Sequence, residues 1–525
     1  MVDGERRDVA RRRTISHLPY AISHQPLAIL GLAVAALLAG CHPARPALPA
    51  LPTSALGASA GKPAPPAVTA LVRDIDALLA APALAHGYWG VLVKSLKTGE
   101  TLYAVNAKRL MMPASNMKIV TLAAAAERLG WNYTYETSVF AAGRIDAGVL
   151  HGDLIVVGSG DPSIGETPDV LGAWAEQLKV RGLRVIAGRI IGDDNAFDDD
   201  GLGFGWSWDD LPDDYAAGVS ALQYNENAVR VTVGPGVTAG DWAGVAVSPT
   251  SGGLVVESSL TTSAADRPAA ISARRLPGSP RLRLSGAVPL GAPPVSRDVS
   301  VDNPTQFFVN ALRTTLIAHG IDVRGPAVDI DDIRDAPTPP YGAPFISHRS
   351  PPLSTLALRL MKASQNLYAE TFLKTLGPGA SGRSTAAGRS NALAALQAWG
   401  VGPDGLILRD GSGLSRYDYV TPEALVTILM HVDRQDSLKG PFQESLPIAG
   451  RDGSLSNRMK GTAAEGNARA KTGSMSNVRG LSGFVTTADG EPLAFSILAN
   501  NFETPADTIN RTADAIVVRL AEFKR

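Results

Sequence analysis

A single cysteine, Cys41, leaves this chain of 525 residues with no internal partner for a disulfide. Charge of one sign is lacking too: 49 Lys plus Arg stand against 50 Asp plus Glu, so no broad field recruits nucleic acid. The eight histidines are scattered without the paired spacing of metal ligands, and neither a metal nor a cofactor is expected. No repeat of fixed period occurs. What is plentiful is glycine (53) and proline (37), which suits a turn-rich chain with many short strands. The length exceeds the ~250–300 residues at which single hydrophobic cores stop growing, so more than one core is expected.

Five arginines lie between Arg6 and Arg13, followed by an apolar run, Leu27 to Leu38, broken only by Gly31. A basic stretch, a short apolar core and small residues describe a signal peptide rather than a membrane span. The ending Leu38-Ala39-Gly40-Cys41 resembles a bacterial lipobox, in which the cysteine becomes the lipid-modified first residue. The plain alternatives are an ordinary secretion signal or an uncleaved anchor with an incidental cysteine. Each of the three places the folded part outside the cytoplasm, in the periplasm or cell envelope. The lipobox reading adds a membrane partner through the N-terminal lipid.

Residues 42–67 are mostly Pro, Ala, Gly and Ser, too poor in large apolar groups to fold, and read as a tether. A helix is expected from Val68 to Leu79, then strands Tyr88–Leu96 and Glu100–Val105, then a helix from Pro113 to Leu129 stopped by Gly130. Short β-like runs fill the middle, among them Leu183–Gly192, Val229–Val233 and Leu254–Ser259, closed by a helix at Pro304–His319. Helical patterns return at Leu353–Met361 and Asn366–Leu376. Strands Gly480–Thr486 and Leu493–Ala499 precede a helix at Pro505–Phe523. Helix-rich sequence flanking a β-rich block predicts a discontinuous domain, 68–136 with 341–525, carrying an insertion at 137–340.

Three short motifs carry chemistry. Ser115-Asn116-Met117-Lys118 has the Ser-x-x-Lys form, and at a helix start its serine and lysine share one face. A hydroxyl becomes a competent nucleophile when a base removes its proton. An amine one turn away serves if burial or a neighbouring cation lowers its pKa. Ser364-Gln365-Asn366 is a Ser-x-Asn between two helical segments, where helix capping is the plain alternative. Lys471-Thr472-Gly473, within Ala468–Ser474, sets a lysine and a hydroxyl on a strand edge where they can bind a carboxylate, with a glycine that lets a substrate backbone approach. Two of the motifs have decoys, Ser59-Ala60-Gly61-Lys62 in the tether and Lys97-Thr98-Gly99 in a hairpin turn. Order and context therefore carry the signal, and together the trio matches that of penicillin-binding proteins and class A β-lactamases.

The 249 residues between Ser115 and Ser364 (364 − 115) narrow the resemblance. The chain resembles the class C low-molecular-mass penicillin-binding proteins, the D-alanyl-D-alanine carboxypeptidase/endopeptidase family. It does so from about Val68 to the C-terminus, including Gly158–Pro162, Gly205–Leu211, Asp410–Ser415 and Ala470–Ser474. The resemblance implies an α/β (α+β) penicillin-binding/β-lactamase-like domain with a long β-rich insertion. It also implies a serine enzyme that cleaves peptidoglycan stem peptides and is acylated by β-lactams. Carried over, Ser115 is the nucleophile and Lys118 its base, Ser364 and Lys471 relay the proton, and Asn366 positions Lys118 and the substrate amide. Thr472 and Ser474 hold the terminal carboxylate, beside Gly473. The backbone N–H groups of Ser115 and Ser474 form the oxyanion hole.

Asp210 matches an acid that in relatives meets a cationic group on the stem peptide, with a solvated loop carboxylate as the plain alternative. Met475 lines an apolar pocket for that side chain or packs in a core. Gln365 departs from the Asp or Asn usual at the middle of Ser-x-Asn. The turns Gly158–Pro162 and Asp410–Gly413 read as structural, their glycines serving tight geometry. Two rivals stand: a β-lactamase, against which the long insertion and the lack of its deacylating glutamate motif argue, and a non-catalytic wall-binding scaffold, against which the complete trio argues.

Overall fold

Strands with apolar residues on both faces need cover on both sides, and two segments near the C-terminus, 480–486 and 493–499, are apolar or glycine at most positions. The structure is a computed structural model describing residues 65–378 and 383–525; Cys41, the signal segment and most of the tether lie outside the described residues. Five strands form the main sheet: β1 (Tyr88–Ser95), β2 (Thr101–Val105), β3 (Arg469–Met475), β4 (Val478–Thr486) and β5 (Pro492–Asn500). They run antiparallel in the order β3-β4-β5-β1-β2. Along β5, Leu493, Phe495 and Ile497 pack toward the helices Pro66–Leu79 and Ala506–Ala521, while Ala494 and Leu498 join a helical layer on the other face.

That layer is built around the helix Met117–Leu129, in which every residue from Met117 to Ala126 is buried. A helix buried all round carries no polar stripe, which accounts for its run of Ala, Leu and Met and makes Lys118 an exception within it. Leu353–Lys362 and Asn366–Thr375 pack beside it, as expected to within a residue or two. The helices Thr385–Ala398, Pro422–Arg434 and Asp436–Ser445 complete the layer and were not anticipated.

The middle block holds a seven-stranded sheet, from the hairpin Glu136–Asp146/Val149–Gly158 to Ile346–Arg349, which pairs back onto Glu136–Val139. The helices Val170–Val180, not foreseen from its β-like surroundings, and Pro304–Ala318 cover that sheet. The expected strand Leu183–Gly192 is two short ones, Val185–Ile186 and Ile190–Asp193. Gly188 breaks it where the chain passes so close to Gly152 that a Cβ would lie 2.4 Å from its carbonyl oxygen. Two three-stranded sheets form a separate small core around Val231, Leu260, Leu282 and Leu284. Among the described residues no helix is long and apolar enough to cross a membrane.

The two-sided burial of the main sheet is testable at Phe495, which is fully buried. Phe495→Ala should cost ~3–5 kcal/mol in a urea unfolding curve, through lost transfer energy and a cavity. Val237→Ala, at a position 89% exposed, should leave the midpoint unchanged.

Candidate active site

The turn that carries Ser115 begins at Pro113. Ala114 follows in the left-handed region at φ +46°, and Ala114–Asn116 form a 3₁₀ turn before the α-helix starts at Met117. Ser115 therefore sits in the tighter turn rather than in the regular helix expected from Pro113 onward. The spacing of three still brings Lys118 Nζ to 2.9 Å from Ser115 Oγ. Nζ also donates to Asn366 Oδ1 (2.6 Å) and to the Ser412 carbonyl (3.0 Å). Three acceptors satisfy a full ammonium. A neutral amine keeps the two bonds to Asn366 and Ser412 and turns its lone pair toward the Ser115 hydroxyl.

Ser364 occupies the short connection between two helices, also left-handed, at φ +61°. The capping role falls to Gln365, whose Oε1 accepts the Leu367 N–H at 3.2 Å, leaving Ser364 and Asn366 free for the site. Ser364 Oγ accepts from Lys471 Nζ at 2.8 Å. Asn366 bridges the two halves of the molecule, with Oδ1 toward Lys118 and Nδ2 donating to the Tyr215 carbonyl at 2.7 Å.

β3 is an edge strand, and its pairing fixes where its groups point. The Ala470 N–H donates away from β4, to Pro447 O at 3.0 Å. Because backbone groups alternate sides along an antiparallel strand, the N–H groups of Thr472 and Ser474 face the same free edge. Gly473 faces the turn that carries Ser115. A Cβ there would lie 2.6 Å from the Pro113 carbonyl oxygen and 2.7 Å from Asn116 Nδ2; one on its cross-strand partner Gly480 would lie 2.4 Å from the same nitrogen. Gly473 thus permits a close approach of the turn that carries Ser115, which is seated on a pair of glycines.

Burial sets the electrostatics. Lys118 is fully buried, and desolvation brings its pKa down to about 7 against the opposing pull of the Asp410 and Glu370 carboxylates. Lys471 is held well below the usual lysine range by burial first and then by the charge of Lys118. The acids are themselves tied to one turn. Glu370 accepts the N–H groups of Gly411 and Ser412, both at 2.8 Å. Asp410 accepts those of Gly413 and Ser415, both at 2.7 Å, and the Trp206 indole N–H at 2.8 Å. Burial and the neighbouring Asp410 push the Glu370 carboxyl upward.

The segment Asp410–Ser415 is therefore a wall of the site as well as a tight turn. Gly413, at φ +82°, lies so close to Ala114 that a Cβ would sit 1.9 Å from its carbonyl oxygen. Sequence reasoning missed Glu370, Asp410, Ser412, Tyr215 and Arg416. The Asp-Gly-Ser-Gly run was their one visible trace, and it reads as a turn.

These elements surround a cleft of about 370 Å³. Ser115, Ser364, Asn366, Thr472 and Ser474 line it, as do Asp210 and Met475; Gly473 does not, and Arg416 enters from the 410–416 segment. Asp210 accepts the Tyr215 hydroxyl at 2.8 Å. Away from the cleft, in the middle block, Asp194, Asp329 and Asp331 bring carboxylate oxygens within 4.8 Å of one another.

The family of D-Ala-D-Ala carboxypeptidase 3 (S13) matches residues 71–523. A D-alanyl-D-alanine carboxypeptidase of an Actinomadura species is 35% identical over 469 residues, covering 87% of this chain and 85% of the relative. The carboxypeptidase DacB of Haemophilus influenzae is 27% identical, covering 82% of this chain and 88% of its own. The crystal structure of penicillin-binding protein 4 (DacB) from Haemophilus influenzae superposes with a TM-score of 0.77 at 25% identity, covering 86% of this chain and all (100%) of that one. This is the penicillin-binding/β-lactamase-like fold with inserted domains. By the extent of both matches, the chain belongs to the D-Ala-D-Ala carboxypeptidase 3 (S13) family.

Proposed function

We propose that this serine D-Ala-D-Ala carboxypeptidase cleaves peptidoglycan stem peptides through an acyl-enzyme on Ser115. The observation that carries the reading is the 2.9 Å contact between Ser115 Oγ and the buried Lys118 Nζ. In the neutral form Lys118 takes the hydroxyl proton while Asn366 and Ser412 hold its two remaining hydrogens. Ser115 Oγ then bonds to the carbonyl carbon of the penultimate D-alanine. The developing oxyanion is held by the backbone N–H groups of Ser115 and Ser474, the second supported by its outward direction on the free edge of β3; such donors contribute ~2.7–4 kcal/mol each. The C–N bond breaks as the leaving amine takes a proton from the Ser364 hydroxyl, which Lys471 at 2.8 Å restores. Water releases the acyl group by the reverse proton path.

Thr472 and Ser474 hold the terminal carboxylate, and the adjacent Lys471 adds positive potential. Gly473 serves by fit against the nucleophile turn. Asp210 and Met475, both on the cleft wall, address the stem-peptide side chain. A cross-link between stem peptides presents a similar bond to Ser115, so endopeptidase action belongs to the same site. A β-lactam enters the same acylation; penicillin-binding protein 4 from Haemophilus influenzae has been crystallised in complex with a β-lactam. Residues 68–136 and 341–525 form the catalytic body around the insertion 137–340. Cys41 carries the lipid that holds the enzyme, through the tether 42–67, at a membrane of the cell envelope.

Fluorescent penicillin followed by peptide mapping should label one peptide, that containing Ser115, and Ser115→Ala should give no adduct; equal labelling of the variant defeats the assignment. The acylation rate should rise about tenfold per pH unit below a midpoint near 7 and level off above it, because only neutral Lys118 is a base. A flat profile between pH 5 and 9 would contradict that role. Cys41→Ser should move the protein from the detergent to the aqueous phase on Triton X-114 partition; unchanged partition counts against lipidation.

A further inference from the structure

Gln365, the residue that departs from the usual Ser-x-Asn pattern, is held at both ends. Its Oε1 caps the helix Asn366–Thr375, and its Nε2 donates to Glu226 Oε2 at 2.7 Å. Glu226 belongs to the middle block, 139 residues earlier in the chain. The same carboxylate accepts a bidentate pair from Arg359 on the helix that leads into Ser364, at 2.7 and 2.8 Å. One side chain thus ties the helix before Ser364 to the residue after it.

Glu226 is itself in an unusual place. It is the centre of three consecutive left-handed residues, with φ of +51° at Asn225, +54° at Glu226 and +56° at Asn227. Asparagine tolerates that region; glutamate has no such preference. The run persists because its neighbours fix it. Asn227 Nδ2 donates to the Gly218 carbonyl at 2.9 Å and Asn225 Nδ2 to the Ala228 carbonyl at 2.9 Å, while the Asn225 N–H reaches Ile164 O at 2.8 Å. Backbone strain of this kind gathers where geometry serves function. Stability gives little reason for it, since the Glu226–Arg359 pair is 26% and 52% exposed and ion pairs that exposed contribute little.

The geometry points to Glu226 as a positioning residue for the proton relay. By clamping Gln365 and Arg359 it keeps Ser364 at φ +61° with Oγ 2.8 Å from Lys471 Nζ. This rests on the proposed role of Ser364 in that relay. Glu226 touches no reacting atom, so its loss should affect the rate at saturation and spare ligand binding.

Stopped-flow acylation by nitrocefin separates the two. Glu226→Ala should lower the limiting acylation rate ~10- to 100-fold, the scale on which small misplacements act. The noncovalent dissociation constant and the melting temperature should change little. In a Ser364→Ala background the same substitution should have no further effect, because the clamp acts through Ser364. Gln365→Glu, which keeps the cap but sets two carboxylates against each other, should slow acylation similarly. An unchanged rate in Glu226→Ala, or an equal fall with and without the Ser364 hydroxyl, overturns the proposal. If the wild type forms no adduct, the acyl-enzyme reading fails, and a crystal structure of Glu226→Ala decides this one. Ser364 leaving the left-handed region and parting from Lys471 supports the clamp; an unmoved Ser364 refutes it.

Discussion

A lysine amine cut off from water and surrounded by three acceptors is the constraint from which the rest of the site follows. Exposed, Lys118 would stay an ammonium at neutral pH; buried, its pKa is brought down to about 7, where it can act as the base proposed for Ser115. Burial demands the surroundings seen here. The helix must be apolar on every side, which Met117–Ala126 provides. Every donor on Nζ must have a partner, because an unsatisfied buried polar group costs ~1–3 kcal/mol. The Asn366 amide and the Ser412 carbonyl are thus required by the chemistry of the amine before any substrate arrives.

The second lysine sharpens the problem. Two cations buried in one site repel, and the charge of Lys118 is one of the causes that lower Lys471. Asp410 and Glu370 oppose the lowering of Lys118, and each is bonded to two backbone N–H groups of the 411–415 turn. Both act on Lys118 at a distance, so they temper its pKa without taking its proton. The same bonds fix the turn that supplies the Ser412 carbonyl, which makes electrostatic balance and backbone placement one arrangement.

The local parts of this site were legible in the sequence because they depend on short spacings. Ser115 and Lys118 meet since three residues make one turn, whether 3₁₀ or α, and β4 and β5 show their two-sided burial in their apolar runs. Convergence of the three motifs came from family resemblance, not from periodicity. Glu370, Asp410 and Tyr215 stayed hidden because what distinguishes them is burial and long-range partnership, and a lone acid in a helix reads as solvated. At Gly473 the need for a bare backbone was legible, whereas the neighbours that crowd it, the Pro113 carbonyl and Asn116, were not. The four unforeseen helices differ in cause. Val170–Val180 lies among β-like runs, while the other three owe their place to packing in the helical layer.

The middle block, set apart by its texture, builds part of the cleft wall. Trp206 bonds Asp410, the Tyr215 carbonyl takes the Asn366 amide, Glu226 takes Gln365, and Lys374 pairs with Asp198. Each bond joins that block to a residue in or next to a motif segment or its supporting helix. A tether that merely carried an accessory domain would need none of them. Asn366 shows what they accomplish: an amide with one end on the base and the other on the block cannot rotate without losing a bond to each. The orientation that presents Oδ1 to Lys118 is therefore fixed from outside the three motifs, and an insertion of some two hundred residues is held to the active site by the same hydrogen bonds that hold the active site in order.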